Sequence, residues 1–214
     1  VGYGLCVPYL TLMIMGGLND MTAVLVTGVA LIIGYGLADL ISGLVHWASD
    51  NFGQRDNAVI GPMFVIPFRD HHDDPGAITR ETLLELHGIN CFNLLPLLSL
   101  AIIFLEPASG SRISLFLAVT ILGISLGVIA ATQIHRWVHQ ERVPAWVELL
   151  QTAGLVISKE SHAIHHCEPH DEYYCIASGW WNRVLCQTRF YRRVEALIEG
   201  LTGLRPAREE KSAS

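Results

Sequence analysis

From Ile113 to Ile134 the chain runs through one apolar stretch without a single charged side chain. Such a segment crosses a bilayer as a helix, because lipid offers no partner to backbone N–H and C=O groups and a helix satisfies them internally. A second stretch, Met21 to Val45, is interrupted only by Asp39 and small residues. At about 1.5 Å per residue it would reach roughly 37 Å, enough for a hydrocarbon core of about 30 Å with some tilt. A third extends from about Ile89 to Leu105, with Pro96 inside it. Leu5 to Leu18 is apolar but short, and Gly16-Gly17 with Asn19-Asp20 reads as a tight turn before the next stretch. No basic segment precedes it, so it is read as a short or truncated first span rather than the apolar core of a signal peptide. The expectation is an all-α integral membrane protein with about four transmembrane helices, near residues 5–18, 21–45, 89–105 and 113–134. They would belong to a single domain over residues 1–208, with a disordered tail at 209–214.

Composition supports this reading. The 214 residues are 51% hydrophobic and 16% charged, where soluble domains average about 25% charged. The net charge of -6 and the lack of a long basic run argue against a nucleic-acid partner. The five cysteines are odd in number and form no CxxC pair, which fits reduced thiols rather than a disulfide framework or a zinc ribbon.

Orientation follows from the basic residues. Arg55, Arg69 and Arg80 lie between the second and third spans; Arg136, Arg142, Lys159, Arg183, Arg189, Arg192 and Arg193 follow the fourth; only Arg112 falls in the opposite loops. Four crossings put both rich regions on one side, the cytosol. All ten histidines then sit at or beyond the cytosolic ends of the spans, as a helical cap. Within that cap, Val143 to Ile157 is expected to lie against the membrane, and Tyr173, Tyr174, Trp180 and Trp181 suit the same interfacial depth.

The histidines fall into four constellations. In ADLISGLVHWASDNFG, Asp39, Ser42 or Gly43, His46 and Asp50 recur at steps of three and four, which places them on one helix face. An ionisable residue inside a span is a functional candidate, although Asp39 could instead pair with a neighbouring helix; a carboxylate a turn or two from a histidine is also how ligands are oriented. In FRDHHDDPGAIT, the adjacent His71 and His72 can diverge at a helix end to serve two metals, or can decorate a solvated loop. In HRWVHQ, His135 and His139 are four apart, so a helix directs both imidazoles to one metal. In SHAIHHCEPH, a helical turn would direct His162 and His165 together and His166 sideways, with His170 approaching from a loop after Pro169. Four histidines within nine residues rarely have a purely structural reason. His87 stands alone and reads as a capping or interfacial residue, while Asn90 nearby could hold a water on a metal. Nine imidazoles exceed what one four-coordinate zinc needs and suit two six-coordinate irons better, although ligand type alone also allows zinc, copper or nickel.

In order, HWASDNFG, RDHHDDPGAITR, HRWVHQ, LLQTAGLVIS, SHAIHHCEPHDEYYCIASGWWN and RRVEALIEGLTGLRP resemble the Kua/CarF-type lipid desaturase family, over about Ala38 to Arg208. The best-known members of that family are plasmanylethanolamine desaturases. The resemblance implies a diiron oxidoreductase with two Fe ions that uses O2 and an electron donor such as cytochrome b5 or ferredoxin. Its substrate would be a 1-O-alkyl ether phospholipid of the surrounding membrane, converted to the 1'-vinyl ether of a plasmalogen. The family's essential histidines carry over onto His46, His71, His72, His135, His139, His162, His165, His166 and His170. Asp39, Asp50 and Asn90 are candidates to support them. At position 87 the animal members carry asparagine, which weighs against His87 as an obligatory ligand. Such a protein would reside in the endoplasmic reticulum of a eukaryote or the cell membrane of a bacterium. A plant plastid branch introduces a double bond into an acyl chain, so acyl desaturation is the alternative. A membrane zinc hydrolase, a haem electron carrier and a non-enzymatic scaffold stand further off. The headgroup is expected at the cytosolic interface, with the alkyl chain in a slot between spans.

Overall fold

The computed structural model describes residues 2–207; the predicted tail at 209–214 lies outside them. Among the described residues the chain is helical throughout, with no strand. The helices are α1 (Gly2–Gly16), α2 (Met21–Asn51), α3 (Ile66–Asp73), α4 (Leu83–Phe104), α5 (Arg112–His139), α6 (Ala145–Thr152), α7 (Lys159–His165), α8 (Trp180–Gln187) and α9 (Phe190–Thr202). Three segments, Met21–Asn51, Leu83–Ser109 and Arg112–His139, are long and apolar enough to cross a membrane. The chain is therefore an all-α membrane protein. The 15-residue α1 is apolar but shorter than these, so three long spans are evident where about four crossings were expected.

The chain divides into two compact units, Val1–Ala38 with Thr82–Thr132, and Asp39–Glu81 with Gln133–Ser214. In the first, Leu10 and Ile14 of α1, Leu94, Leu98 and Ala101 of α4, and Leu115, Ala118, Val119 and Leu122 of α5 form the core. Bulky side chains such as Leu25, Ile32, Phe92, Ile103, Phe104 and Ile113 stay exposed. Exposed apolar side chains on long apolar helices suit a lipid solvent. The α2 and α5 backbones meet at Gly34 and Gly123, and a Cβ at Gly34 would lie 2.6 Å from the Thr120 carbonyl oxygen. Small residues permit this approach, as they do at helix contacts in membranes generally. The start of α4 is set by a capping box, with the Thr82 hydroxyl accepting from the Glu85 N–H and the Glu85 carboxylate accepting from the Thr82 N–H.

In the second unit, the last turns of α2 pack against the segment from Tyr174 to Gly179 and against α8 and α9. Trp47, Tyr174, Cys175, Leu185 and Tyr191 form its apolar core. Trp47 donates to the Glu195 carboxylate over 2.8 Å, a buried bond that ties α9 to α2. The five cysteines stand as free thiols. α6 spans only eight residues and leaves Trp146 and Leu149 exposed. Tyr174 departs from its expected interfacial place. It is fully buried, because its hydroxyl finds polar partners inside, donating to the His170 carbonyl and accepting from the Asn51 amide. A buried tyrosine keeps its ring dry while its O–H is satisfied.

Candidate metal centre

The predicted face of α2 is a zipper for the segment that follows α7. The Asp39 Oδ1 atom accepts the N–H groups of Ala177, Ser178 and Gly179 at 3.0, 2.9 and 3.0 Å. One turn on, the Ser42 hydroxyl accepts from the Ile176 N–H at 3.2 Å. Beside it, a Cβ at Gly43 would run into the Cys175 thiol. A further turn on, His46 Nδ1 lies 3.1 Å from the Tyr174 carbonyl oxygen. Asp39 is fully buried, and its Oδ2 atom lies 3.5 Å from the Trp181 N–H in the first turn of α8, where a helix favours an acidic group. Its side chain thus bonds backbone N–H groups, and it holds the backbone that His46 binds.

The Tyr174 oxygen can only accept, so His46 carries its proton on Nδ1 and leaves Nε2 as a lone pair. His165 repeats the arrangement, with Nδ1 2.9 Å from the Glu172 carbonyl, and His170 does so with Nδ1 2.9 Å from the His165 carbonyl. Fixing one ring nitrogen through a carbonyl is how metal-binding imidazoles are usually oriented. Among the described residues, the buried Nε2 atoms of His46 and His165 find no hydrogen-bond partner. Such orphaned groups are costly unless something outside the protein atoms satisfies them.

α3 brings the next pair. Arg69 donates to the carbonyls of Ser49, Phe52 and Gly53 at 3.1, 3.2 and 3.3 Å, so a cation caps the carboxyl end of α2. This fixes α3 on α2, and His71 and His72 diverge from its last turn into different groups. From α5, the four-residue spacing turns His135 and His139 the same way, their Nε2 atoms 3.3 Å apart.

Two groups result. His71, His135, His139, His162 and His166 offer nitrogens that all lie within 4.8 Å of one another; His46, Asp50, His72 and His165 form the other group on the same criterion. Nε2–Nε2 distances in the first are 2.9 Å for His71–His139, 3.0 Å for His135–His162, 3.0 Å for His139–His162 and 3.1 Å for His162–His166. Two ligands about 2.1 Å from a common metal stand about 3.0–3.4 Å apart at octahedral and tetrahedral angles. Hydrogen bonding alone does not account for the packing, since His162 Nε2 approaches three other ring nitrogens and carries at most one proton. Burial holds these rings neutral. The His71 imidazole is pushed down to about 2 and that of His166 to about 3, first by desolvation and then by neighbouring histidines. Those of His162 and His165 are pushed well below the ordinary range for the same reason. Neutral imidazole is the metal-binding form, and the donor set therefore fits a metal in each group.

Eight of the nine predicted histidines thus fall into the two groups. The SHAIHH reading needs correction. His166, not His165, faces the same group as His162, because residues four apart on a helix are better aligned than residues three apart. His170 stands beside the groups, its ring 4.3 Å from that of His72. Asp50 lies among the histidines as a member of the second group rather than behind them. His87 is on α4, where its Nδ1 lies 2.9 Å from the Thr132 hydroxyl; Asn90 is on the same helix. Sequence reasoning missed Arg69, Tyr174 and Asn182. Asn182 clamps Cys175 through both its N–H and its carbonyl, at 2.8 and 2.9 Å. A lone arginine, tyrosine or asparagine gives no periodic signal; only the fold reveals its partners.

The sequence model of the lipid desaturase domain matches residues 35–209. The chain is 39% identical over 199 residues to plasmanylethanolamine desaturase 1 of Mus musculus, an alignment covering 89% of this chain and 71% of that protein. It is 38% identical over 184 residues to plasmanylethanolamine desaturase of Myxococcus xanthus, covering 86% and 64%. It is also 34% identical over 176 residues to chloroplastic fatty acid desaturase 4 of Arabidopsis thaliana, covering 81% and 52%. The chain therefore spans between about half and seven tenths of the length of these relatives. No solved structure matches it. With the domain match running through both histidine groups, the chain belongs to the lipid desaturase family.

Proposed function

We propose that this chain is an iron-dependent plasmanylethanolamine desaturase, which introduces the 1'-vinyl ether of plasmalogens into 1-O-alkyl ether phospholipids. The observation that carries the reading is the pair of buried histidine groups within a chain 38–39% identical to two plasmanylethanolamine desaturases. His71, His135, His139, His162 and His166 would hold one iron; His46, His72 and His165, with His170 beside them, would serve the other. Two six-coordinate irons would offer about twelve positions, which would leave room for O2 and water beside nine imidazoles. Bound there, the irons would supply the O2-derived oxidant that an unactivated C–H bond requires and that no side chain can provide.

The protein's own contribution is positional. Tyr174 and Glu172 carbonyls hold protons on the Nδ1 atoms of His46 and His165, so that the Nε2 lone pairs face inward. Asp39 and Ser42 fix the backbone that supplies the first of those carbonyls. Arg69 holds α3, so that one residue aligns a histidine for each metal. Fixed ligands need no rearrangement during the reaction, and this is the main means by which a protein scaffold assists a metal. Electrons would come from a small carrier such as cytochrome b5 or ferredoxin, with the histidine groups facing the cytosol, where such carriers reside.

Expression in cells that lack plasmalogens tests the proposal. Acid-labile vinyl ethers should appear with the intact chain and not with His165→Ala. A new acyl double bond with no vinyl ether would instead favour acyl desaturation, the activity in the name of the Arabidopsis relative.

A further inference from the structure

We infer that Asp50 is itself a metal ligand, so that the two centres are chemically unlike: one all-imidazole, the other with a carboxylate among its imidazoles. The inference rests on the metal reading above. The Asp50 side chain is 8% exposed, and its Oδ2 atom lies 3.1 Å from His72 Nε2, 3.5 Å from His46 Nε2 and 3.6 Å from His165 Nε2. In two of these approaches the partner is a lone pair, because His46 and His165 have their Nδ1 protons committed to the Tyr174 and Glu172 carbonyls. Acceptor therefore faces acceptor. Accordingly, among the described residues His46 Nε2 and His165 Nε2 make no hydrogen bond, and neither does the second carboxylate oxygen, Oδ1. Two buried lone pairs and a carboxylate repel one another unless a cation stands between them.

The separations suit a shared metal better than a shared proton. A charge-assisted N–H···O bond closes to about 2.7–2.9 Å, whereas the two lone-pair approaches stay at 3.5 and 3.6 Å. Two ligands about 2.1 Å from one ion stand nearer to that wider spacing. The first group contains no carboxylate, since its five members are all histidines. A carboxylate cancels one unit of positive charge at its own centre and adds a harder donor, so the Asp50 centre should hold ferric iron more readily than its all-imidazole neighbour.

Mössbauer spectroscopy of the ⁵⁷Fe-loaded full chain, reduced to the diferrous state, tests this directly. The unaltered protein should give two quadrupole doublets of equal area. Asp50→Ala should fall from two irons per chain to one and lose one doublet; His139→Ala should lose the other. Asp50→Glu, which keeps the carboxylate, should retain both irons with one doublet displaced. A single doublet from the unaltered protein overturns the inference, and this holds even if the alanine variant does not fold. Two irons and an unchanged spectrum in Asp50→Ala overturn it as well. In either case the iron-enzyme reading survives, whereas an unaltered chain that binds no iron overturns both.

Discussion

His46 Nδ1 lies 3.1 Å from the carbonyl oxygen of Tyr174, a residue 128 positions further along the chain. That contact converts a backbone position into a ring tautomer, and the backbone position is set in turn by Asp39. Asp39→Ala would leave the buried N–H groups of Ala177 and Ser178 and the half-buried one of Gly179 without their acceptor. At about 1–3 kcal/mol for each of the two buried groups left unpaired, the loss should be at least about 2 kcal/mol. Asp39→Asn keeps an oxygen where Oδ1 stands and should retain most of the fold and the iron. Thermal melting and iron content of the two variants check this; an Asp39→Ala protein with unaltered melting and iron would remove Asp39 from the account.

Arg69 holds three carbonyls at the end of α2 from its place on α3. Because His71 and His72 belong to different groups, Arg69→Ala should weaken both centres at once, by about 10–100-fold in metal affinity. Arg69→Lys supplies a point charge without the planar fork and should recover only part of that loss. Equilibrium iron binding followed by elemental analysis distinguishes this from loss of a single site, which would contradict the role assigned to α3.

The glycine contact between α2 and α5 can be tested against an internal control. A Cβ at Gly34 would meet the Thr120 oxygen at 2.6 Å, whereas one at Gly28, on the same helix, meets nothing within 4 Å. Gly34→Ala should cost about 1–3 kcal/mol through overpacking. Gly28→Ala should be neutral or stabilising by about 0.5–1 kcal/mol, since glycine inside a helix carries an entropic penalty. Melting temperatures in detergent measure both; equal effects would mean that the close approach is absent in solution.

Chelating the metal exposes the protonation behaviour of the histidines. His71 and His166 have folded values near 2 and 3 against an ordinary value of 6.5, so the unfolded chain binds protons that the fold refuses. Where the unfolded state binds more protons, stability rises with pH. The contribution is therefore intact above about 6.5 and is lost progressively as pH falls toward the folded values. Metal-free protein should melt at lower temperature at about pH 5 than at about pH 7.5, and the His71→Ala, His166→Ala double variant should lose part of that dependence. A flat profile in the parent chain would contradict the burial of neutral imidazoles.

Much of the site is legible in the sequence because helical period carries it. Asp39, Ser42, His46 and Asp50 declare a single face of α2, and His135 with His139 declare one direction on α5. Period also misleads where it is read too loosely, as with His162, whose group partner on α7 is His166 and not His165. Bonds through the backbone are not legible. Nothing in the residue type of Tyr174 or Glu172 announces that their carbonyls will fix two imidazoles, and Tyr174 resembles an interfacial aromatic until its burial is known. Asp50 was legible as a neighbour of histidines but not as their equal, because that depends on α3 and α7 arriving beside α2. The long apolar runs predicted the three long helices, while the 15-residue α1 shows why counting crossings by composition is hardest at a short helix.

The most direct test of the central claim follows the two hydrogens. Plasmalogen-free cells expressing this chain would be given a 1-O-alkylglycerol carrying deuterium at C1' and C2' of the alkyl chain, and the recovered ether phospholipids analysed by mass spectrometry. The expected product is an acid-labile vinyl ether that has lost one deuterium from each of those carbons, formed only in aerated, iron-replete cells and absent with His165→Ala. Full retention of deuterium at both carbons in cells that express the intact, iron-loaded chain would contradict it.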